Sequence, residues 1–453
     1  MMAEQMIHHK EGEKVATQAI PTGFKQSEVG IIPEDWLVEP LENFTSFISY
    51  GFTNPMPTTA SGPYMVTARD ISNGKIQYDS ARTTDWSAFH KLLTAKSKPQ
   101  LDDVLLTKDG TLGRVALVEN ELICINQSVA ILRPNKRIYP KFFKCLLDAP
   151  LYQAKMLEDA GGSTIKHIYI TIVNKMVLGL PANLTEQTAI ANVLSDSDAL
   201  IDSLELLIAK KQSVKTATMQ QLLTGRTRLP QFALRPDGSP KGYKLSELGD
   251  IPEDWEIKQI IQFTDCTAGG TPSTSIASYW GGEHPWMSSG ELHLKRVFDV
   301  SVRITDEGLG NSSTKYVPAD SVLIGLAGQG KTRGTVAIAK IPLCTNQSIA
   351  SIFPSAEHCP EFLFYNLDSR YEELRELSTG DGGRGGLNLA IIRRLKVIFP
   401  DKTEQSAIAN VLSDMDSELT ELEQKLAKAR DVKQGMMQQL LTGRIRLPLP
   451  QEA

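Results

Sequence analysis

The chain has 453 residues, 41% of them hydrophobic, which is too long for one ordinary domain and enough to fill more than one core. A net charge of −5 argues against a protein that coats nucleic acid without regard to sequence, and leaves a specific reader open. There is no run of about 18 apolar residues, and the five cysteines (Cys124, Cys145, Cys266, Cys344, Cys359) form no Cys-x-x-Cys pair and no metal-ligand spacing with His. A soluble, cytoplasmic chain is therefore expected, with reduced thiols, no structural zinc and no membrane role.

Taken in order, residues 1–22 are polar, lack the apolar stretch of a signal peptide and are expected to be flexible. GFKQSEVGIIPEDW (23–36) opens the ordered chain and recurs as GYKLSELGDIPEDW (242–255). Residues 185–230, TEQTAIANVLSDSDALIDSLELLIAKKQSVKTATMQQLLTGRTRLP, return as residues 403–448 with 29 of 46 positions identical at an offset of 218. Between these near-copies lie two segments, 41–183 and 260–401, that match only in fragments. The first carries 16 Lys+Arg against 12 Asp+Glu and the second 13 against 15, so they differ in charge. Constant, variable, constant, variable, constant is the pattern of a frame holding two interchangeable readers, unlike a solenoid of many short repeats.

The constant parts read as long helices. Ile408, Val411, Met415, Leu419, Leu422, Leu426, Ala429, Lys433, Met436 and Leu440 alternate in three- and four-residue steps with one break, as do Ile190, Val193, Ser197, Ile201, Leu204, Ile208, Lys211, Lys215, Thr218 and Leu222. This is the seam of a coiled coil. Thr185 and Thr403 suit the N-cap, Glu186 and Glu404 the first turn, and Gly225 and Gly443 the position just past the end. Each helix then runs about 37 residues, or about 55 Å. A parallel pair would set Lys215 against Lys433. An antiparallel pair within the chain puts Lys215 near Met415 and Lys433 near Ser197, each free to snorkel to water. An ordinary bundle or a homodimer seam is the alternative.

Two stretches in the variable segments invite a chemical reading. GLAGQGKT (325–332) matches the nucleotide-binding loop G-x-x-x-x-G-K-[ST] literally, but that loop needs a helix after it whose N-terminus faces the phosphate. RGTVAIAKIP is β-branched and stopped by Pro342, and the counterpart DVLLTKDGTLGRVALVEN drops the motif, so a basic hairpin turn is expected instead. The chain contains no G-x-S-x-G, no H-E-x-x-H and no Asn/Asp-Pro-Pro-Tyr/Phe sequence. It is expected to perform no chemistry alone.

Shared fragments show that the two variable segments are one fold. ICINQSVAIL (123–132) aligns with LCTNQSIASI (343–352), and IYPKFFKCLL with HCPEFLFYNL. Short β-branched strands between Gly, Asn and Asp turns, with helices near 139–158 and 359–377, predict an α+β domain with polar loops. Those loops carry the side chains that read base edges and phosphates. In the first segment the candidates are Thr53, Asn54, Arg69, Lys108, Thr111, Arg114 and Lys166; in the second, Thr271, Ser273, Gln329, Lys331, Arg333, Arg384 and Asn388. Any one of these, taken singly, is more often a solvated loop residue. The Asn-Gln-Ser triplets (126–128, 346–348) read equally as buried turn-formers, and Trp86, Trp280 and Trp286 as core or rim anchors.

Four features together make residues 23–448 resemble the specificity subunit of a type I restriction-modification system: the two IPEDW segments, GGTPSTSIASYWGGEHPWMSSGEL (269–292), the GGSTIKHI…LP and TEQ-AIANVL passage, and the repeated heptad helix ending QQLLTGR. The resemblance implies two similar α/β target-recognition domains separated by two long antiparallel coiled-coil helices, with a pseudo-twofold internal repeat. The expected boundaries are a first target-recognition domain at 23–183, a helical spacer at 184–230, a linker and second domain at 231–401, and a second spacer and tail at 402–453. Each domain would read one half of a bipartite, asymmetric double-stranded DNA site. The helices would set the spacing and dock two modification (methyltransferase) subunits, with two restriction subunits able to join. S-adenosylmethionine, ATP and Mg are expected on those partners and no cofactor on this chain. The second reader has GGRGGLNL where the first has Gly162–Lys166, which leaves a Lys166-like phosphate contact open there. A repeated coiled-coil adaptor whose variable domains bind proteins is the competing reading.

Overall fold

The computed structural model describes residues 20–448 apart from 121, 159, 161–165, 329 and 378–385; most of the stretch expected to be flexible thus lies outside the described residues. The chain divides into two compact units, one of residues 1–204 and 425–453, the other of residues 205–424. Both mix strands and short helices, and both follow one plan.

In the first unit an antiparallel sheet runs in the order Val115–Leu117, Val104–Thr107, Val129–Pro134, Thr45–Tyr50, and a second sheet in the order Ile123–Ile125, Thr58–Val66, Arg82–Thr84. The strand Ile123–Ile125 lies parallel to Thr58–Val66. In the second unit the corresponding sheets run Cys266–Ala268, Ile349–Ile352, Val322–Gly325, Val336–Ala339, Arg296–Val297, and Arg303–Ile304, Trp280–Met287, Leu343–Thr345, Tyr316–Val317. Here Trp280–Met287 is parallel to Leu343–Thr345, and Arg296–Val297 is parallel to Val336–Ala339. The expected helices form as Pro140–Leu147 and Pro150–Glu158, and as Pro360–Asp368 and Tyr371–Glu376. Pro140 and Pro360 each start a helix, where a missing N–H costs nothing and φ is already set.

Two long helices carry the constant sequence, α1 (Leu184–Leu223, 40 residues) and α2 (Lys402–Leu440, 39 residues). Every seam residue named above is buried or half-buried. The lysines fall where an antiparallel register puts them, but they do not snorkel to water alone. Lys433 pairs with Asp198 at 2.6 Å in the first unit, and Lys215 pairs with Asp416 in the second, each acid one residue along from the expected neighbour. The N-caps also differ from expectation. The helices begin two residues earlier, so Asn183 Oδ1 accepts from Thr185 N at 2.8 Å and Asp401 Oδ1 from Thr403 N at 2.8 Å, and the threonines lie inside the first turn. Gly225 and Gly443, at φ +73° and +68°, end the helices as expected.

The repeated TEQ has a structural cause. Gln187 and Gln405 are fully buried. Gln187 Oε1 accepts from Tyr139 N at 2.8 Å while its Nε2 donates to Pro181 O at 2.9 Å. Gln405 does the same with Cys359 N and Pro400 O, at 2.9 and 2.8 Å. One amide thus joins the last strand of each reader, its first packed helix and the long helix. IPEDW docks on the opposite helix end. Pro33 and Trp36 lie against Gly443, and Pro252 and Trp255 against Gly225, so closely that a Cβ there would meet a proline ring at 2.4–2.5 Å. Asp35 and Glu186 hold Arg446; Asp254 and Glu404 hold Arg228.

His358 gives the second unit a pH dependence. It is 1% exposed, its Nδ1 lies 2.7 Å from Ser355 Oγ, and its ring meets Phe263 edge-on. Burial, helped by the Lys402 charge, pushes its pKa down to about 4. The unfolded ring takes a proton near pH 6.5 and the folded one near 4, so this stability is complete above about 6.5 and is lost as pH falls. Going from pH 7 to 5 should cost roughly 2 kcal/mol. Urea unfolding across that range checks it: His358→Gln should flatten the slope, and an unchanged slope would refute the assignment.

Candidate nucleic-acid interface

Both readers bring three loops together at one end of the sheets, and the same backbone bonds hold them. The first loop leaves the strand Thr45–Tyr50 as Gly51-Phe52-Thr53-Asn54 and the strand Cys266–Ala268 as Gly269-Gly270-Thr271. The second is the Asn-Gln-Ser turn. The third closes the hairpin of Val104–Thr107 with Val115–Leu117, or of Val322–Gly325 with Val336–Ala339. Loop one crosses loop two: Phe52 N donates to Ile125 O at 3.0 Å, and Gly270 N to Thr345 O at 2.8 Å. Loop three is tied to loop two: Lys108 N donates to Ser128 O at 2.9 Å, and Leu326 N to Ser348 O at 2.8 Å.

The Asn-Gln-Ser triplets combine both readings given to them. Asn126 Oδ1 accepts from Ser128 N, and Asn346 Oδ1 from Ser348 N, each at 3.1 Å, so the asparagines are half-buried turn-formers. The glutamines between them, Gln127 and Gln347, are exposed beside loop one. Gln347 Oε1 accepts from Thr271 Oγ1 at 2.6 Å.

In the first unit, Arg69 and Thr111 line one open cleft of about 790 Å³ with Phe52, Arg82 and Asn126. Thr53 and Asn54 line an adjoining cleft of about 420 Å³ that shares Phe52 with it. Lys108 is half-buried, bonded to Asp109 at 2.7 Å and set over the Tyr50 ring. Asp109 also meets His167 Nδ1 at 2.5 Å; burial raises its pKa, and the bonds from Lys108 and His167 outweigh that to hold it below the usual range. Arg114 lies off the clefts, donating to Ile71 O at 2.9 Å, and Lys166 is exposed. Arg82, which residue type alone did not single out, stands exposed at the start of the strand Arg82–Thr84.

In the second unit, Lys331 is exposed in the hairpin loop and Arg333 is half-buried two residues on. Two antiparallel strands flank GLAGQGKT with no helix after it, so the loop lacks the helix N-terminus a nucleotide phosphate would need. Ser273 Oγ lies 2.9 Å from Ser275 Oγ. Asn388 Oδ1 caps the helix Leu389–Arg394 by accepting from Ile391 N at 3.0 Å. Gln329 and Arg384 lie outside the described residues. Trp286 is a core anchor whose indole N–H donates to Gly270 O at 2.9 Å; Trp280 meets it edge-on, and Trp86 sits at a rim, stacked on His90.

All five cysteines are free. No group of three or more potential metal ligands occurs among the described residues, and no helix among them is long and apolar enough to cross a membrane.

A repeated reader with a constant frame and divergent loops defines a class of recognition protein, and comparison supplies its family. The family model of the type I restriction modification DNA specificity domain matches residues 57–213 and 252–429. The chain belongs to this family. It is 27% identical over 439 residues to the MjaX type I restriction enzyme specificity subunit of Methanocaldococcus jannaschii, covering 94% of this chain and 97% of that one. It is 24% identical to the HindI specificity subunit of Haemophilus influenzae over 64% of this chain and 74% of that one. Its fold is similar to the crystal structure of a type I restriction-modification S subunit from M. genitalium, with a TM-score of 0.58 at 16% identity, covering 92% and 97% of the two chains. It is thus a specificity subunit, a member of the system that recognises rather than catalyses.

Proposed function

We propose that each reader binds one half of a two-part, non-palindromic double-stranded DNA site, and that α1 and α2 set the number of base pairs between the halves. The observation that carries this is the loop cluster built twice by the same backbone bonds and furnished with different side chains: Thr53, Asn54, Arg69, Arg82, Thr111 and Gln127 in one, Thr271, Ser273, Lys331 and Gln347 in the other. A shared frame gives both loop clusters one approach to a duplex. Different side chains give them different base edges to bond.

On this reading α1 and α2 also dock two modification subunits, onto which restriction subunits can add. Leu200, Leu206, Leu207 and Val214 are exposed on α1 and Val432 on α2, apolar surface that a soluble helix leaves bare where a partner covers it. S-adenosylmethionine, ATP and magnesium then belong to the partners. The test is to express the chain with its modification subunit in a host free of other adenine methylation and to map methyladenine across the genome. The expected result is a split motif with two unlike halves around a fixed gap. An assembled complex that leaves no such motif would refute the reading and bring the protein-binding adaptor forward.

A further inference from the structure

In the second unit one carboxylate joins the reader to both long helices. Asp416 on α2 is half-buried, and both its oxygens are bonded: Oδ1 by Lys215 of α1, Oδ2 by the Tyr365 hydroxyl at 2.6 Å and by Arg296 Nη1 at 3.1 Å. Arg296 lies over the Phe364 and Tyr365 rings and reaches Glu361 at 3.1 Å; Glu361 also takes Lys340 at 2.7 Å. The strand Arg296–Val297, the strand Val336–Ala339 that ends beside Lys340, and the helix Pro360–Asp368 are thereby tied to one point on α2. Burial raises the Asp416 pKa, and the bonds from Lys215 and Tyr365 more than offset this and keep it ionised.

Among the described residues the first unit has no such knot at the equivalent place. Asp198 takes Lys433 at 2.6 Å, but its contact with the reader is Lys144 at 3.9 Å, and Cys145 stands where Tyr365 stands in the aligned helix. Beyond the Gln187 and Arg446 bonds, which have counterparts in the second unit, Lys75 meets Asp202 in an exposed pair of the sort that contributes little.

The apolar core beneath each reader is non-directional and tolerates small rotations, whereas hydrogen bonds fix angles. We propose that Asp416, through Tyr365 and Arg296, is a positioning residue that sets the angle of the second reader on α2 and so restricts the recognised site to one gap length. This rests on the two-part DNA reading above. One base pair more or less in the gap turns a half-site by about 35°, so a reader fixed in angle rejects it and a loosened one accepts it.

Methyladenine maps from complexes carrying wild type, Asp416→Asn, Tyr365→Phe and Asp198→Asn test this. Tyr365→Phe keeps the ring and removes only the hydroxyl, so it guards against simple misfolding. Asp416→Asn and Tyr365→Phe should methylate the same two half-sites at gaps one base pair longer and shorter, with discrimination between gaps falling by about tenfold or more. Asp198→Asn should keep the single gap. A single gap in Asp416→Asn and Tyr365→Phe, or a uniform fall in methylation without new gaps, would overturn the proposal and leave the two-part reading standing. A wild type with no split motif would overturn that reading instead.

Discussion

Arg228→Ala should destabilise the second unit by about 3–5 kcal/mol, the cost of stranding a buried charge. The Arg228 and Glu404 side chains are 5% and 1% exposed, and the guanidinium makes bonds of 2.9 and 2.5 Å to Glu404 and of 2.7 and 3.1 Å to Asp254. Without it, the Glu404 carboxylate keeps, among the described residues, only the Trp255 indole N–H, at 2.9 Å. The matching change in the first unit, Arg446→Ala, should cost clearly less, because Arg446 is 43% exposed and water replaces part of what is lost. Amide hydrogen exchange reads the units separately. A loss of protection in residues 205–424 of less than about 1 kcal/mol would show that the pair is not the anchor its burial indicates.

Gly269→Ala should disable the second reader. A Cβ at Gly269 would sit 1.9 Å from the Thr345 carbonyl oxygen, and one at Gly51 would sit 1.8 Å from that of Ile125. Backbone cannot yield as a side chain can, so loop one must lift off the Asn-Gln-Ser turn and break the bond from Gly270 N to Thr345 O. About 3 kcal/mol or more is expected, as for other changes that force buried backbone apart. Methylation should fall below detection even where the complex still assembles. Gly290→Ala, whose Cβ would meet nothing nearer than 3.5 Å, is the control and should methylate normally. Wild-type methylation by Gly269→Ala would mean that loop one does not need its crossing.

What could be read in the sequence was whatever local spacing records. The heptads place the seam, and the clash of Lys215 with Lys433 in a parallel pair predicts the antiparallel register. Local spacing could not supply the partners. Glu186 and Glu404 look like ordinary first-turn acids until Arg446 and Arg228 arrive from 260 residues later and 176 residues earlier. The same holds for Asp416 with Arg296, 120 residues away. The capping error has a smaller cause, since Asn183-Leu-Thr185 and Asp401-Lys-Thr403 offer two good caps two residues apart. At the reader loops, residue type picked out Arg69 and Thr111, which line a cleft, and passed over Arg82, which lines the same cleft. It could not foresee that Asn388 would cap a helix or that Lys108 would be held by Asp109, because both depend on which backbone groups lie near.

The two units differ in how they draw on the chain. Residues 205–424 are contiguous, whereas the core of the first unit needs Met437, Leu440 and Leu441 beside Trp36 and Phe142. A ribosome making about 5–20 residues per second therefore completes the second unit while the first, begun earlier, waits roughly 10–40 s for its closing helix. During that interval the nascent first reader exposes the apolar face that α2 will cover. A frameshift past residue 424 would accordingly strike the reader encoded at the opposite end of the gene and spare the one encoded nearby.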